Sequence, residues 1–376
     1  MTTSSDTPDV IIAGGGVIGF ATAYFLGSMH GIKCLVLEKD AVASGASGAA
    51  AGELSALNRT EHPYPPEFIS LGTEGLSLHR QLYSQIVDAS GIDYQLTNTA
   101  IFRPAFTEEE AIISQEQVAV QKAGGLNIEW LNNAALQSAG TWLPEDTLGA
   151  IYSPDDQQVE TYPFAIALAQ AAEHFGAVIQ TAEVTGVMRS GDQVTGVNTA
   201  NGSIQGDRVV LAMGPWMQYC SDWLGFDIPV KPLRGQIIHM RLPGPLPEYG
   251  IFHHTGYVFP KPSGRLYVGT TEELAGFDRQ TTVQARDSIL EATLKFAAPI
   301  IDGELIEMTA CLRPLSSDDL PIIGAAPNWD GLYLATGHGR KGILMSLVTG
   351  KYLAQEIAEG KTDYPMDPFS PNRLIH

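Results

Sequence analysis

Basic charge is scarce in this chain: 22 Lys and Arg stand against 42 Asp and Glu in 376 residues, a formal net charge of −20. Nucleic-acid backbones and anionic membranes are bound by basic surfaces that displace counterions. Neither is an expected partner, and small molecules are the expected ligands. Cysteine is scarcer still. Cys34, Cys220 and Cys311 are too few and too scattered for a disulfide framework or a zinc site of paired ligands, so no metal is expected and a reducing compartment fits. Long apolar runs are missing as well, each being broken by glycine or polar residues before membrane-spanning length. The opening MTTSSDTPDV lacks the basic region of a secretory signal, and the final Asn-Arg-Leu-Ile-His is not a peroxisomal ending. The expected location is the cytoplasm.

What is present suits a compact α/β protein with many turns: 44% hydrophobic residues, 39 Gly, 23 Pro and only 17% charged residues. The length points to two domains. Residues 9–13, DVIIA, read as a short buried strand that ends in glycines; a helix to about residue 31 and the strand CLVLE follow. Helical spacing returns at 66–87, at 162–175 behind Pro163, at 285–298 and at 342–359. Residues up to about 154 form a mixed segment with loops. Strands are expected in AVIQ, in the hairpin-like VTGVNTANGSI, in RVVLAMG, in the alternating runs of 236–271, and in LPIIG and LYLATG.

Gly14, Gly16 and Gly19 have the G-x-G-x-x-G spacing, and the strand-to-helix context makes the triplet informative. The first glycine permits the sharp turn, the second admits a pyrophosphate to the backbone, and the third lets the helix pack on the sheet. With Val17 and Ile18, these residues open a helix whose unpaired N–H groups attract phosphate. Glu38, at the end of the next strand and before Lys39, is placed to accept hydrogen bonds from ribose hydroxyls. The alternative is a plain glycine turn with a solvated Glu. Residues 44–52, SGASGAAAG, are rich enough in small residues to let backbone approach an extended ligand at Ser44, Ala46, Ser47, Ala51 and Gly52. A flexible loop is the other reading.

With these motifs the chain resembles the D-amino-acid oxidase family of FAD-dependent oxidoreductases, in particular its glycine oxidase and sarcosine oxidase branches. That family follows its acidic strand end with an A-S-G-A-S-G-like loop along the FAD. The resemblance continues in Ala182-Glu183-Val184, where the Val184 backbone would face adenine, and in the strand ending Ala212-Met213-Gly214-Pro215-Trp216. Its most specific part is C-terminal. Cys311-Leu312-Arg313-Pro314 with the later Leu320-Pro321-Ile322-Ile323-Gly324 looks like G-L-R-P…D-x-x-P-I-I-G, and the segment from Gly337 through His338, Gly339, Arg340 and Lys341 to Gly342, Ile343 and Leu344 looks like G-H-x-x-x-G-I-L. About four-fifths of the length takes part, residues 61–154 least.

The resemblance implies an α/β, two-domain flavoprotein. A Rossmann-like FAD-binding domain would be built from 8–60, 155–232 and 305–365, and a β-rich substrate domain from 61–154 and 233–304. It implies FAD as cofactor, hydride transfer to flavin N5 from the carbon beside an amine nitrogen, and O2 as acceptor. Glycine, sarcosine or a D-amino acid is the implied substrate. Arg313 is the candidate carboxylate clamp, since its planar fork can hold a carboxylate by two parallel hydrogen bonds; an ion pair with Asp318 or Asp319 is the alternative. Arg340 is either a second clamp or a loop anchor. Tyr257 stands where similar enzymes carry an active-site tyrosine, and His254 ranks below it as a candidate. Cys311 departs from the glycine oxidase pattern, which has Gly there. The sarcosine branch has a cysteine joined to the flavin at this position, so covalent attachment and a small buried cysteine are both open, but that branch's strand lysine is replaced by Tyr267. The rival readings are a tailoring enzyme for larger natural-product amines or alcohols, with a different lid around 61–66, and a flavin-binding regulatory or trafficking protein with little turnover.

Overall fold

The computed structural model describes residues 7–57 and 64–375. The first half of the 61–66 segment, Glu61, His62 and Pro63, lies outside the described residues. At the centre is a six-stranded sheet in the order Ile322–Ala325, Leu332–Thr336, Val209–Leu211, Val10–Ala13, Cys34–Glu38 and Val178–Thr181. Its strands are parallel except Ile322–Ala325, which returns antiparallel along Leu332–Thr336. Val10, Ile11, Ile12 and Ala13 are all fully buried, as expected of a strand covered on both faces.

Helices Val17–His30, Pro66–Ser90, Thr161–His174 and Gly342–Glu359 cover one face with a single apolar cluster. On the other face a three-stranded antiparallel sheet, Val184–Ser190, Gln193–Thr199 and Gly202–Gln205, packs through Val184, Val194 and Val197. A separate eight-stranded sheet runs in the order Glu304–Ser316, Val230–Arg241, Leu266–Gly269, Gly256–Pro260, Tyr249–His253, Ala100–Ala105, Gly149–Ser153 and Glu129–Asn132. The two long strands Val230–Arg241 and Glu304–Ser316 lie side by side along nearly their whole length.

Two differences from the sequence expectations stand out. The helix expected at 285–298 is Val283–Leu294; Pro299 then falls in a tighter helical turn, Ala298–Asp302. Within the mixed segment lies a sixteen-residue helix, Glu108–Ala123, opened by a capping box. The Thr107 hydroxyl accepts from the Glu110 N–H, and Glu110 Oε2 accepts from the Thr107 N–H in return.

The topology aims several loops at one place. The turn at residues 14–16, the segment after Val209–Leu211 and the turn after Leu332–Thr336 all leave the carboxyl ends of neighbouring parallel strands, where open α/β sheets bind ligands.

Candidate active site

These loops wall a cavity of about 920 Å³, and the eight-stranded sheet supplies its other side. Gly14, Gly16, Val17 and Ile18 line it together with Gly342 and Ile343, so the first turn and the start of the last helix meet on one space. Neither helix start has a side chain capping its own N-terminus; Val17 N–H donates instead to Ser47 Oγ, 3.1 Å away in the small-residue loop. Such N-termini favour anionic groups. Gly14 sits at φ +118°, and a Cβ there would lie 2.3 Å from the Ala212 carbonyl oxygen. Only glycine satisfies both conditions.

Glu38 lines the cavity with both carboxylate oxygens on the turn: Oε2 accepts from Gly15 N–H at 2.7 Å and Oε1 from Asp40 N–H at 2.9 Å. Further lone pairs on the same oxygens remain for hydroxyl donors. Lys39 Nζ lies 4.3 Å from the ring centroid of Trp216, and both residues line this end of the cavity. Ser44, Ala46, Ser47, Ala51, Val184, Ala212, Gly214, His338, Gly339 and Lys341 line it too.

Gly19, Gly52 and Gly337 do not line it. Gly19 faces the Gly14 carbonyl and Gly52 the Val159 carbonyl, at 2.1 and 2.2 Å from where a Cβ would be, so each permits a close backbone crossing behind the wall. Gly337 turns at φ +76° against Ser316. Residues 46–49 of the small-residue loop form one helical turn rather than extended chain.

The candidate substrate residues line the same cavity. Cys311 and Arg313, two apart on one strand, share a sheet face and line the cavity with Tyr257. Arg313 makes no pair with Asp318 or Asp319. Asp318 binds Arg373 at 2.8 Å, Asp319 lies 3.8 Å from Arg340, and the Arg313 fork donates to the Thr271 carbonyl at 3.2 Å and Thr270 Oγ1 at 2.9 Å. Its guanidinium lies over Gly235, where a Cβ would be 2.2 Å from both terminal nitrogens. Tyr257 is buried, stacks on Phe252 at 5.0 Å and fits over Gly269. Burial raises its pKa, against the pull of the Arg313 charge, so the phenol stays neutral and able to donate.

Arg340 is bound by both nitrogens of its fork to Glu272. Burial opposes its charge, but the Glu272 carboxylate outweighs that and raises its pKa. His254 lies at the end of the hairpin formed by Tyr249–His253 and Gly256–Pro260, with Nδ1 3.8 Å from Glu110 Oε1. Cys311 is free and buried, and burial raises its thiol pKa. His338 is buried with Nε2 2.9 Å from Thr349 Oγ1; burial lowers its pKa to about 3, so it is a neutral packing group of the wall.

Sequence reasoning missed Glu53, Arg103, Thr107, Glu110, Gly235 and Thr270, all of which line the cavity or touch Arg313. The T-x-x-E capping box of 107–110 was the one signal that could have found any of them.

A crevice at strand carboxyl ends, two glycine-opened helix starts around one cavity and an acidic strand end are the marks of a dinucleotide-binding oxidoreductase. Residues 9–356 match the family profile described as DAO, FAD dependent oxidoreductase, and the chain belongs to that family. It is 31% identical to the glycine oxidase of Geobacillus kaustophilus over 98% of this chain and 97% of that one. It is 28% identical to the hydrogen cyanide synthase subunit HcnC of Pseudomonas aeruginosa over 98% and 96% of the two chains. The crystal structure of the Geobacillus kaustophilus glycine oxidase superposes with a TM-score of 0.92, covering 98% of this chain and 100% of the other. The protein is thus an FAD-dependent oxidoreductase, and its cavity fits that cofactor by its two helix starts and its glycine turn.

Proposed function

We propose that this enzyme oxidises the C–N bond of a small amino acid or amine of the glycine, sarcosine or D-amino-acid kind, with O2 as electron acceptor, in the cytoplasm. The observation that carries the reading is the Arg313 fork, held in place by Thr270 and Thr271 on the wall of the cavity that the two glycine-opened helix starts share. The relatives named glycine oxidase support the substrate class and the acceptor. The three free buried cysteines support a reducing compartment.

In this reading residues 8–60, 155–232 and 305–365 form the FAD-binding domain, and 61–154 with 233–304 the substrate domain. The backbone of residues 14–18 and Ser47 would hold the pyrophosphate, Glu38 the ribose, Val184 the adenine, and Gly339 to Ile343 the far end of the flavin. FAD supplies a two-electron acceptor for hydride. Arg313 binds the substrate carboxylate by two parallel bonds, which fixes the reacting C–H against the flavin site. Tyr257, neutral and buried, donates to the same carboxylate. The backbone N–H groups that open helix Gly342–Glu359 favour negative charge at the adjoining edge of the cavity. Arg340, engaged by Glu272, anchors the wall rather than the substrate.

Anaerobic mixing of the FAD-loaded protein with glycine, sarcosine and D-alanine tests this directly. Loss of the flavin's visible absorbance with at least one of them, and its return on admitting air, is the expected result. No bleaching with any small amine would end the proposal.

A further inference from the structure

A second ionic cluster on the cavity wall supplies side-chain charges that mechanism does not use. Glu53 lines the cavity just after the small-residue loop, Arg103 comes from strand Ala100–Ala105, and Lys341 directly precedes the last helix. Lys341 Nζ lies 3.3 Å from Glu53 Oε2 and donates to the Ser55 carbonyl at 2.9 Å; Arg103 Nη2 lies 3.9 Å from Glu53 Oε1. Behind them is Asp156, 3% exposed, next to the short strand Gln157–Gln158 that pairs with Glu53–Leu54. The hydroxyls of Ser153 and Ser55 bond to its carboxylate, and the charges of Glu53 and Lys341 act on it.

Four ionisable groups from four segments, two of each sign, are gathered here with side chains 14% (Glu53), 16% (Arg103) and 9% (Lys341) exposed and Asp156 3% exposed, which is seldom the most stable way to fill such a space. Two carboxylate oxygens, Glu53 Oε1 and Asp156 Oδ2, are buried without a hydrogen-bond partner among the described residues. Buried acceptors left in this way call for an explanation. The Glu53 and Arg313 charges both act on the Tyr257 phenol, so the cluster borders the end of the cavity where the amino acid would sit.

The reaction itself requires the substrate to shed a proton. A small amine arrives largely as an ammonium ion at neutral pH, and only the neutral amine has a lone pair to assist the departing hydride. We propose that Glu53 takes the proton shed by the substrate's ammonium group and passes it to Asp156, with Lys341 and Arg103 holding the pair at the wall. This rests on the amine-oxidation reading. An N–H bond breaks with its electron pair left on nitrogen, and an O–H bond forms on Glu53. That O–H then breaks as a new one forms on Asp156. Nothing is oxidised or reduced in either transfer. Burial, and next the Glu53 charge, push Asp156 up to about 7, so it is empty above that pH and filled below it.

The test uses FAD-loaded wild type, E53Q and D156N, bleached anaerobically by amine across a pH series. E53Q is expected to bleach ~10²-fold more slowly at neutral pH, with the gap closing as the pH nears the amine's own pKa. D156N is expected to bleach more slowly than wild type above about pH 7, where Asp156 is empty and accepts the proton, and to lose the acid-side fall that wild type shows near that pH. Infrared spectra of the FAD-free proteins supply a second readout: a protonated-carboxyl band that disappears as the pH rises through about 7 in wild type and is absent from D156N. Wild-type bleaching with E53Q unchanged, or slowed equally at every pH, overturns the relay alone. Wild type that bleaches with no amine overturns the amine reading and the relay with it. If E53Q does not take up FAD, the D156N profile and the infrared band decide: a rate profile like that of wild type and an unchanged band sink the proposal.

Discussion

At Gly235 the absence of a side chain makes room for the Arg313 guanidinium, which occupies the space a Cβ would need. Gly235→Ala should therefore displace the fork while leaving the FAD turn intact. The expected outcome is unchanged FAD uptake and an amine-dependent reduction rate ~10²-fold lower, as for a clamp shifted by about an ångström. Arg313→Lys keeps the charge but not the fork, and should lose a similar factor in kcat/KM. Arg340→Met should change kcat/KM far less, because Glu272 already holds that guanidinium; an equal loss would restore Arg340 as a clamp. Cys311 makes a further prediction. Burial keeps its thiol protonated and a poor nucleophile, so acid precipitation should release FAD into the supernatant rather than leave it on the protein. Arg313 could be singled out from sequence because its planar fork suits a carboxylate and it stands in the resembled C-terminal motif, and Tyr257 because of the resemblance alone. Gly235, Glu53 and Arg103 could not. Their roles depend on which strands lie side by side, and nothing local in the chain encodes that pairing.

Elements were more legible than their arrangement. The buried run at Val10–Ala13, the glycine turn and the helix Gly342–Glu359 carry strong local periodicity and stop signals, and each occurs where the pattern puts it. Helix Glu108–Ala123 is different: only Ser114 and Gln121 on it are buried, so it lacks the apolar stripe that periodicity detects, even though it brings Glu110 to the cavity. The contact between helices Val17–His30 and Gly342–Glu359 is also hidden from sequence. A Cβ at Gly350 would lie 2.5 Å from the Ala21 carbonyl carbon, and one at Gly75 on helix Pro66–Ser90 would lie 2.5 Å from the Leu344 carbonyl oxygen. These glycines let three helices approach backbone to backbone. Gly350→Ala should force the first and last helices apart at a cost of ~1–3 kcal/mol, despite alanine's better helix propensity. Denaturant unfolding measures it; a stabilised variant would show that the helices separate freely.

For the whole molecule, three buried groups set opposing pH dependences. His79, with Nε2 3.0 Å from the Ile343 carbonyl, is lowered to about 4 and His338 to about 3, both by burial; Asp156 is raised to about 7, by burial and then Glu53. Between pH about 4 and 6.5 the two imidazoles are neutral in the folded chain and charged in the unfolded one, whereas Asp156 is protonated folded and ionised unfolded. The unfolded state thus binds a net one proton more through these groups. Stability should rise with pH across that window by ~1.4 kcal/mol per unit from the three together. From 6.5 to about 7 only Asp156 still differs, and its contribution turns the other way. Asp156→Asn removes the opposing proton, so below pH 6.5 its unfolding free energy should climb more steeply than wild type's, by about 1.4 kcal/mol per unit. His79→Gln should lower the wild-type slope by the contribution of one imidazole, about 1.4 kcal/mol per unit. Urea unfolding of the three proteins at half-unit pH steps reads both differences; a D156N slope equal to wild type would mean that Asp156 is already ionised in the folded chain at those pH values, and would remove the buried proton from which the relay draws its support.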